Sequence, residues 1–107
     1  MRIEKIEKAL EKSKAEYEFW GAAKRVYDKC LASELGDFPE SVFRAYIITG
    51  AVTGAAQMLN QNNPKRRFGT NDVSNTIRSE VIEDEELCYV ARRLLDLGTQ
   101  ANNKWHN

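Results

Sequence analysis

Apolar side chains recur at intervals of three and four along most of this chain, the period of one face of an α-helix. They fall at Ile3, Ile6, Leu10, Tyr17 and Trp20, then at Ala23, Val26, Tyr27, Cys30 and Leu31. This spacing predicts one long helix from Ile3 to Leu35, closed by Gly36 at the C′ position. The opposite-charge pairs Glu4–Lys8, Glu11–Lys14 and Lys12–Glu16 are spaced to support its outer face. Its two halves differ. Up to Glu16 apolar groups are sparse and Ser13 occupies a core-type position, whereas from Tyr17 onward the helix is dense and aromatic. The second half is expected to dock on the domain, and residues 1–16 to project or to pair with a partner helix.

Asp37 followed by Glu40, with Pro39 between them, reads as a capping box with a proline in the first turn. A second helix is predicted from Phe38 to Asn60. Phe43, Tyr46, Ile47, Ile48, Val52, Met58 and Leu59 make it apolar on most sides, so it should be the central element. Gly50 and Gly54 lie inside it among alanines. Each glycine costs a helix interior about 1 kcal/mol relative to alanine, which predicts a close helix approach there, within the fold or across an oligomer. After an Asn-rich loop with Pro64, Thr70 or Asn71 can cap a short helix with Val73 and Ile77 inward. Asp84 can cap a last helix with Leu87, Val90, Ala91, Leu94 and Leu95 inward, closed by Gly98. The tail beyond is polar except for Trp105, which is expected to dock if the tail is ordered. The expectation is an all-α, compact bundle of about four helices with a long N-terminal helix, a single helical domain over residues 1–107.

Composition narrows the functional classes. Sixteen basic residues balance sixteen acidic ones, so the chain lacks the positive excess that drives phosphate neutralisation in dedicated nucleic-acid binders. A chain of 107 residues is marginal as a monomer, and a homo-oligomer is expected. Cys30 and Cys88 sit on apolar stripes without metal-type spacing and read as buried free thiols of a reducing, cytoplasmic compartment. The N-terminus is charged too densely for a signal peptide, and the longest uncharged run, Ala45 to Pro64, is too polar to span a membrane.

Catalytic constellations are missing from the sequence. The one histidine, His106, is the second-last residue, and no Ser/His/Asp set, HExxH or phosphate-binding loop occurs. The acids Glu83, Asp84, Glu85 and Glu86 open a helix, where carboxylates complement the helix dipole. The expectation is a non-enzyme with no cofactor and no metal. The strongest candidate patch is Lys65, Arg66 and Arg67, a basic loop leading into a helix N-terminus, which suits an anionic ligand or an acidic protein surface. The alternative for that loop is a solvated turn with Phe68 tucked into the core. Phe19, off the main stripe, and Trp20 are candidates for a partner surface.

The run Thr70 to Ile77, a connection, then Leu87 to Leu97 with Gly98 resembles the helix-turn-helix core of winged-helix DNA-binding proteins. The resemblance implies that Tyr89, Arg92 and Arg93 face DNA and that Thr99 to Trp105 stand in place of the wing. It departs from the pattern in its long connection, Arg78 to Glu86, and in the four carboxylates at the start of the presumed recognition helix. Three readings therefore stand: a protein–protein module such as an inhibitor or adaptor, a winged-helix-like DNA binder, and an oligomeric binder of a small phosphate-bearing ligand at the Lys65–Arg67 loop.

Overall fold

The computed structural model describes the backbone of residues 3–106 and the side chains of residues 6–98. Among the described residues there are five helices: α1 (Ile3–Leu31), α2 (Glu40–Thr49), α3 (Val52–Asn62), α4 (Thr70–Ser79) and α5 (Glu85–His106). The all-α expectation holds, with one helix more than anticipated. Among the described residues no helix is long and apolar enough to cross a membrane.

The additional helix arises at Gly50. The predicted helix over 38–60 breaks there, because Gly50 adopts φ 75°, its N–H bonds the Tyr46 carbonyl at 2.8 Å, and Ala51 is extended. A side chain at Gly50 would meet nothing, so its glycine serves the left-handed turn. Gly54 answers a different need: a Cβ there would come within 2.9 Å of the Thr49 Cβ across the corner. The expectation of one continuous helix is corrected, while at Gly54 the close approach within the fold is present, between α3 and Thr49 of α2.

Other boundaries also move. α1 ends at Leu31, and Gly36, with φ 75°, lies in the following loop, where a Cβ would come within 2.7 Å of the Arg44 guanidinium. Arg44 donates to the Leu35 carbonyl at 2.7 Å and so fastens this loop to α2. Asp37 contributes its backbone carbonyl to the start of α2, bonding Ser41 N–H at 2.9 Å, and makes no side-chain cap there. Gly69, not Thr70 or Asn71, is the N-cap of α4; its N–H donates to the Asp72 carboxylate at 2.8 Å. Asp84 caps α5 as expected, accepting from Leu87 N–H at 3.1 Å. Gly98 does not end that helix, which continues through His106. The docking expected of Trp105 falls on side chains outside the described residues.

α2 is the central element, touching each of the other four helices. Val42, Phe43, Ala45, Tyr46 and Ile47 bury against Ala55, Ala56 and Leu59 of α3, Val73 and Ile77 of α4, and Leu87, Val90, Ala91 and Leu95 of α5. Burial of a large aliphatic or aromatic side chain contributes about 1.5–3 kcal/mol. Ile82, in the α4–α5 connection, is buried as well and anchors a segment with no helix of its own.

α1 docks on this core by part of the expected stripe, Ala23, Val26 and Cys30, joined by Phe19 and Ala22 from outside it, while Tyr17, Trp20, Tyr27 and Leu31 of that stripe stay in solvent. Phe19, Val26 and Cys30 are buried, with Ala22 and Ala23 packed beside them. Phe19 is 5% exposed and Trp20 54%, which reverses the order expected for that pair. Arg25–Glu86 and Lys29–Asp84 tie the docked half to α5, while Lys24–Asp28 closes within α1. The Glu11–Lys14 and Lys12–Glu16 pairs are not among the ion pairs formed by the described residues. Residues 6–18 are exposed all round, so this half of α1 projects as expected.

Candidate functional site

Three surfaces gather the side chains singled out by sequence. The first follows from how α1 docks. Because Phe19, Val26 and Cys30 take the inward face, a second apolar stripe stays in solvent: Ile6, Leu10, Tyr17, Trp20, Tyr27 and Leu31, between 39% and 82% exposed. Trp20 stands edge-on to the buried Phe19, with ring centroids 4.9 Å apart and planes at 68°. Phe19 in turn meets Tyr89 of α5 edge-on at 6.1 Å, and the Arg93 guanidinium lies 4.9 Å over its ring. Such edge-to-face pairs contribute about 0.5–1.5 kcal/mol beyond burial. Phe19 is therefore a core residue that supports Trp20 from beneath and is not itself part of the surface.

The second surface is the basic loop. Lys65, Arg66 and Arg67 are exposed, and Phe68 is buried, as in the solvated-turn alternative. Asn60 positions Phe68 by bonding both its backbone groups. Arg66 lies 4.3 Å over the Phe38 ring and 4.9 Å over the Phe68 ring, beside a groove of about 830 Å³. Glu34, Asp37 and Asn62 also line that groove. Arg67 borders a smaller hollow of about 210 Å³ together with Asp72 and Glu80. Arg66 also lines this smaller hollow, Lys65 lines neither, and carboxylates share both hollows with the arginines. The α4 N-terminus beside the loop already has a carboxylate of its own, Asp72, on the Gly69 N–H.

The third surface is the α4–α5 pair. The Arg92 side chain is engaged within the fold, where Nε donates to the Ile77 carbonyl at 2.7 Å and Nη2 to the Glu80 carbonyl at 2.6 Å. These are carbonyls at the C-terminal end of α4, which lack helical partners and favour a cation. Of the three expected DNA-facing residues, Tyr89 is half-exposed, Arg93 covers Phe19, and Arg92 is bound to α4. The backbone over 99–106 is helical, so no wing stands there.

Ionisation at these surfaces is set by local partners. The hydrogen bond from Lys29 to Asp84, 2.9 Å, followed by their charge attraction, raises the lysine pKa. For Asp84, burial acts to raise the carboxyl pKa, but the bonds from Lys29 and from Leu87 N–H outweigh it, and the net shift is downward. Desolvation pushes the Cys30 thiol up, which keeps it protonated and poorly nucleophilic. Burial, and next the nearby Asp96 charge, push the Tyr46 phenol up. No group of three or more potential metal ligands occurs among the described residues.

Several contributors were missed in the sequence. Phe38 is a partner of Arg66, Asn60 clamps Phe68, and Lys29 reaches Asp84 across 55 positions. Asn60 carried a faint signal, as an asparagine at the predicted end of a helix before a loop; the Lys29–Asp84 pairing carried none.

Comparison with protein families, with curated proteins and with solved structures gave no match.

Proposed function

We propose that this chain is a protein–protein interaction module of regulatory type, an inhibitor or adaptor, whose docking surface is the solvent-facing stripe of α1. One observation carries this reading: six large apolar residues line a single face of α1, and all of them stay exposed while the same helix buries a different face in its own core. Large contiguous apolar surface on a soluble chain marks an interaction site. Tryptophan and tyrosine are the residue types that dominate binding energy at such sites. Trp20, the largest ring of the stripe, packs edge-on against the buried Phe19, so part of its rotamer freedom is lost before any binding.

The other two readings have less support. Arg92 bonds α4, and Glu83 and Glu85 stand exposed at the start of α5, where DNA phosphates would approach. The carboxylates Glu34, Asp37, Asp72 and Glu80 border the hollows beside the basic loop and oppose a phosphate-bearing ligand.

A photo-crosslinking amino acid, placed singly at Leu10 or Tyr17 on the stripe and at Lys8 or Ala15 on the opposite side of the same helix, tests the reading in cells expressing the chain. Adducts are expected from positions 10 and 17 and not from 8 and 15. Equal labelling from both sides overturns it.

A further inference from the structure

The exposed positions of α1 obey a stricter rule than amphipathicity. Counting by alternate threes and fours from Ile3 gives Ile6, Leu10, Ser13, Tyr17, Trp20, Lys24, Tyr27 and Leu31, the a and d positions of a heptad repeat. From Ile6 to Leu31 this seam is about 39 Å long at the rise of an α-helix. Every described member of it is exposed. A period of 3.5 residues maintained for this length is the pattern of a helix seated against a second helix, and the fold offers it none: Phe19, Val26 and Cys30, which dock α1, lie on the adjoining face.

We infer that the seam is covered by the same seam of a second copy, in an antiparallel pair. The inference rests on the docking reading above and names its partner. The two polar interruptions, Ser13 and Lys24, decide the arrangement. A parallel, in-register pair sets Lys24 against Lys24 and Ser13 against Ser13 of the second copy, so two like charges flank one layer and two small polar side chains leave another underfilled. The antiparallel register centred between Trp20 and Tyr17 of the two chains sets Ser13 against Lys24 of the second copy instead. That same register sets Tyr17 against Trp20, Leu10 against Tyr27 and Ile6 against Leu31. Every apolar member meets an apolar one, and the two polar members meet each other. The neighbouring antiparallel registers, one heptad step away, leave both polar residues against apolar ones or lose half the overlap. A lone polar or charged residue at a core position is a recognised means of fixing orientation and register.

The remaining charges are compatible with this register. Glu7 neighbours Asp28 of the second copy, but Asp28 is already met by Lys24 at 2.9 Å, an arrangement that carries the lysine head to the edge of the seam and leaves its methylenes inside. The surface available is sufficient. Three partly exposed aromatics and three partly exposed aliphatic side chains bring on the order of 600 Å² of apolar area per copy. That approaches the ~800 Å² per partner of a standard interface before flanking stems are counted.

Two measurements test the inference on the full chain. Light scattering coupled to size-exclusion chromatography at high micromolar concentration is expected to give twice the 12.2 kDa chain mass. The Leu10→Glu/Tyr17→Glu variant is expected to return it to the single-chain mass with an unchanged urea midpoint for the core, and Ala15→Glu, on the opposite side, to leave the doubled mass intact. Orientation is read by a short thiol-reactive linker on Leu10→Cys and Tyr27→Cys variants, since the native Cys30 and Cys88 are buried. An equimolar mixture of the two variants is expected to give about tenfold more linked dimer than either alone, as the antiparallel layers require. More product from each variant alone than from the mixture overturns the antiparallel arrangement. A single-chain mass, together with face-specific photo-adducts to a different protein, overturns self-pairing and leaves the docking reading standing; a single-chain mass without face-specific adducts removes both.

Discussion

The Asn60 side chain closes on both backbone polar groups of Phe68, donating to its carbonyl at 3.0 Å and accepting its N–H at 2.7 Å. The last turn of α3 thereby holds the loop that carries Arg66 over its two rings. Asn60→Asp keeps the shape but replaces the donor with a second acceptor facing the Phe68 carbonyl. A partly buried polar group left without a partner costs about 1–3 kcal/mol. A loss of about 2 kcal/mol is expected in urea unfolding at neutral pH, with Asn60→Ser recovering part of it.

Arg92 serves two carbonyls at the end of α4 through different guanidinium nitrogens, an arrangement that suits its fork and not the single ammonium of lysine. Arg92→Ala is expected to lower stability by about 2 kcal/mol, and Arg92→Lys to restore less than half of that. Amide hydrogen exchange resolves the effect by site, with faster exchange expected in the last turn of α4 and little change in α3.

Asp84 joins two roles, cap of α5 and partner of Lys29, and substitutions separate them. Asp84→Ala removes both and is expected to cost about 1 kcal/mol at neutral pH, while Asp84→Asn keeps the cap and costs less. The folded carboxyl has a lower pKa than in the unfolded chain, so its contribution is complete above the ordinary carboxylate range and is lost as the pH falls through the folded value. Unfolding curves of the wild type and the Asn variant should therefore converge toward strongly acid pH. The raised Lys29 pKa acts at the other end: its contribution is present below the ordinary lysine value and fades as alkali passes the folded one. High salt should shrink this solvent-exposed part.

Adjacent residues on α1 should differ sharply. Phe19→Ala opens a cavity in the core and is expected to cost about 3–5 kcal/mol, whereas Trp20→Ala removes a half-exposed ring and should alter stability by about 1 kcal/mol or less. Thermal unfolding of both variants checks the orientation of α1 on the domain. Similar losses from the two would mean that the helix is rotated from the described position.

The period of the apolar positions was sufficient to read the helical class, and the inward residues of α4 and α5 were legible as well, because Val73, Ile77, Leu87, Val90, Ala91 and Leu95 form stripes with no rival on the same helix. α1 carries two stripes. The sequence pattern merges them, because Ala23, Val26 and Cys30, which dock, share the three-and-four spacing of Tyr17, Trp20, Tyr27 and Leu31, which do not, and Phe19 falls outside it. Small residues let helices approach closely, and hydrophobic weight alone does not report that preference. The glycines illustrate a second limit. Gly50 ends a helix and Gly98 does not, although both follow apolar runs. What differs is a local contact, Thr49 folded over Gly54, and such a contact exists only after the corner has formed. The basic loop was legible as charge but not as geometry, since the rings under Arg66 come from Phe38 and Phe68, thirty positions apart.

The projecting half of α1 has one further consequence. A helical segment of a dozen residues without tertiary neighbours is marginal in water, because nucleation is costly and each added residue returns little. Its order must come from whatever it lies against, so recognition by this arm includes a conformational entropy cost at the moment of encounter. Association of that kind is readily reversed, and its strength is set as much by the helical propensity of residues 6–18 as by the side chains that touch.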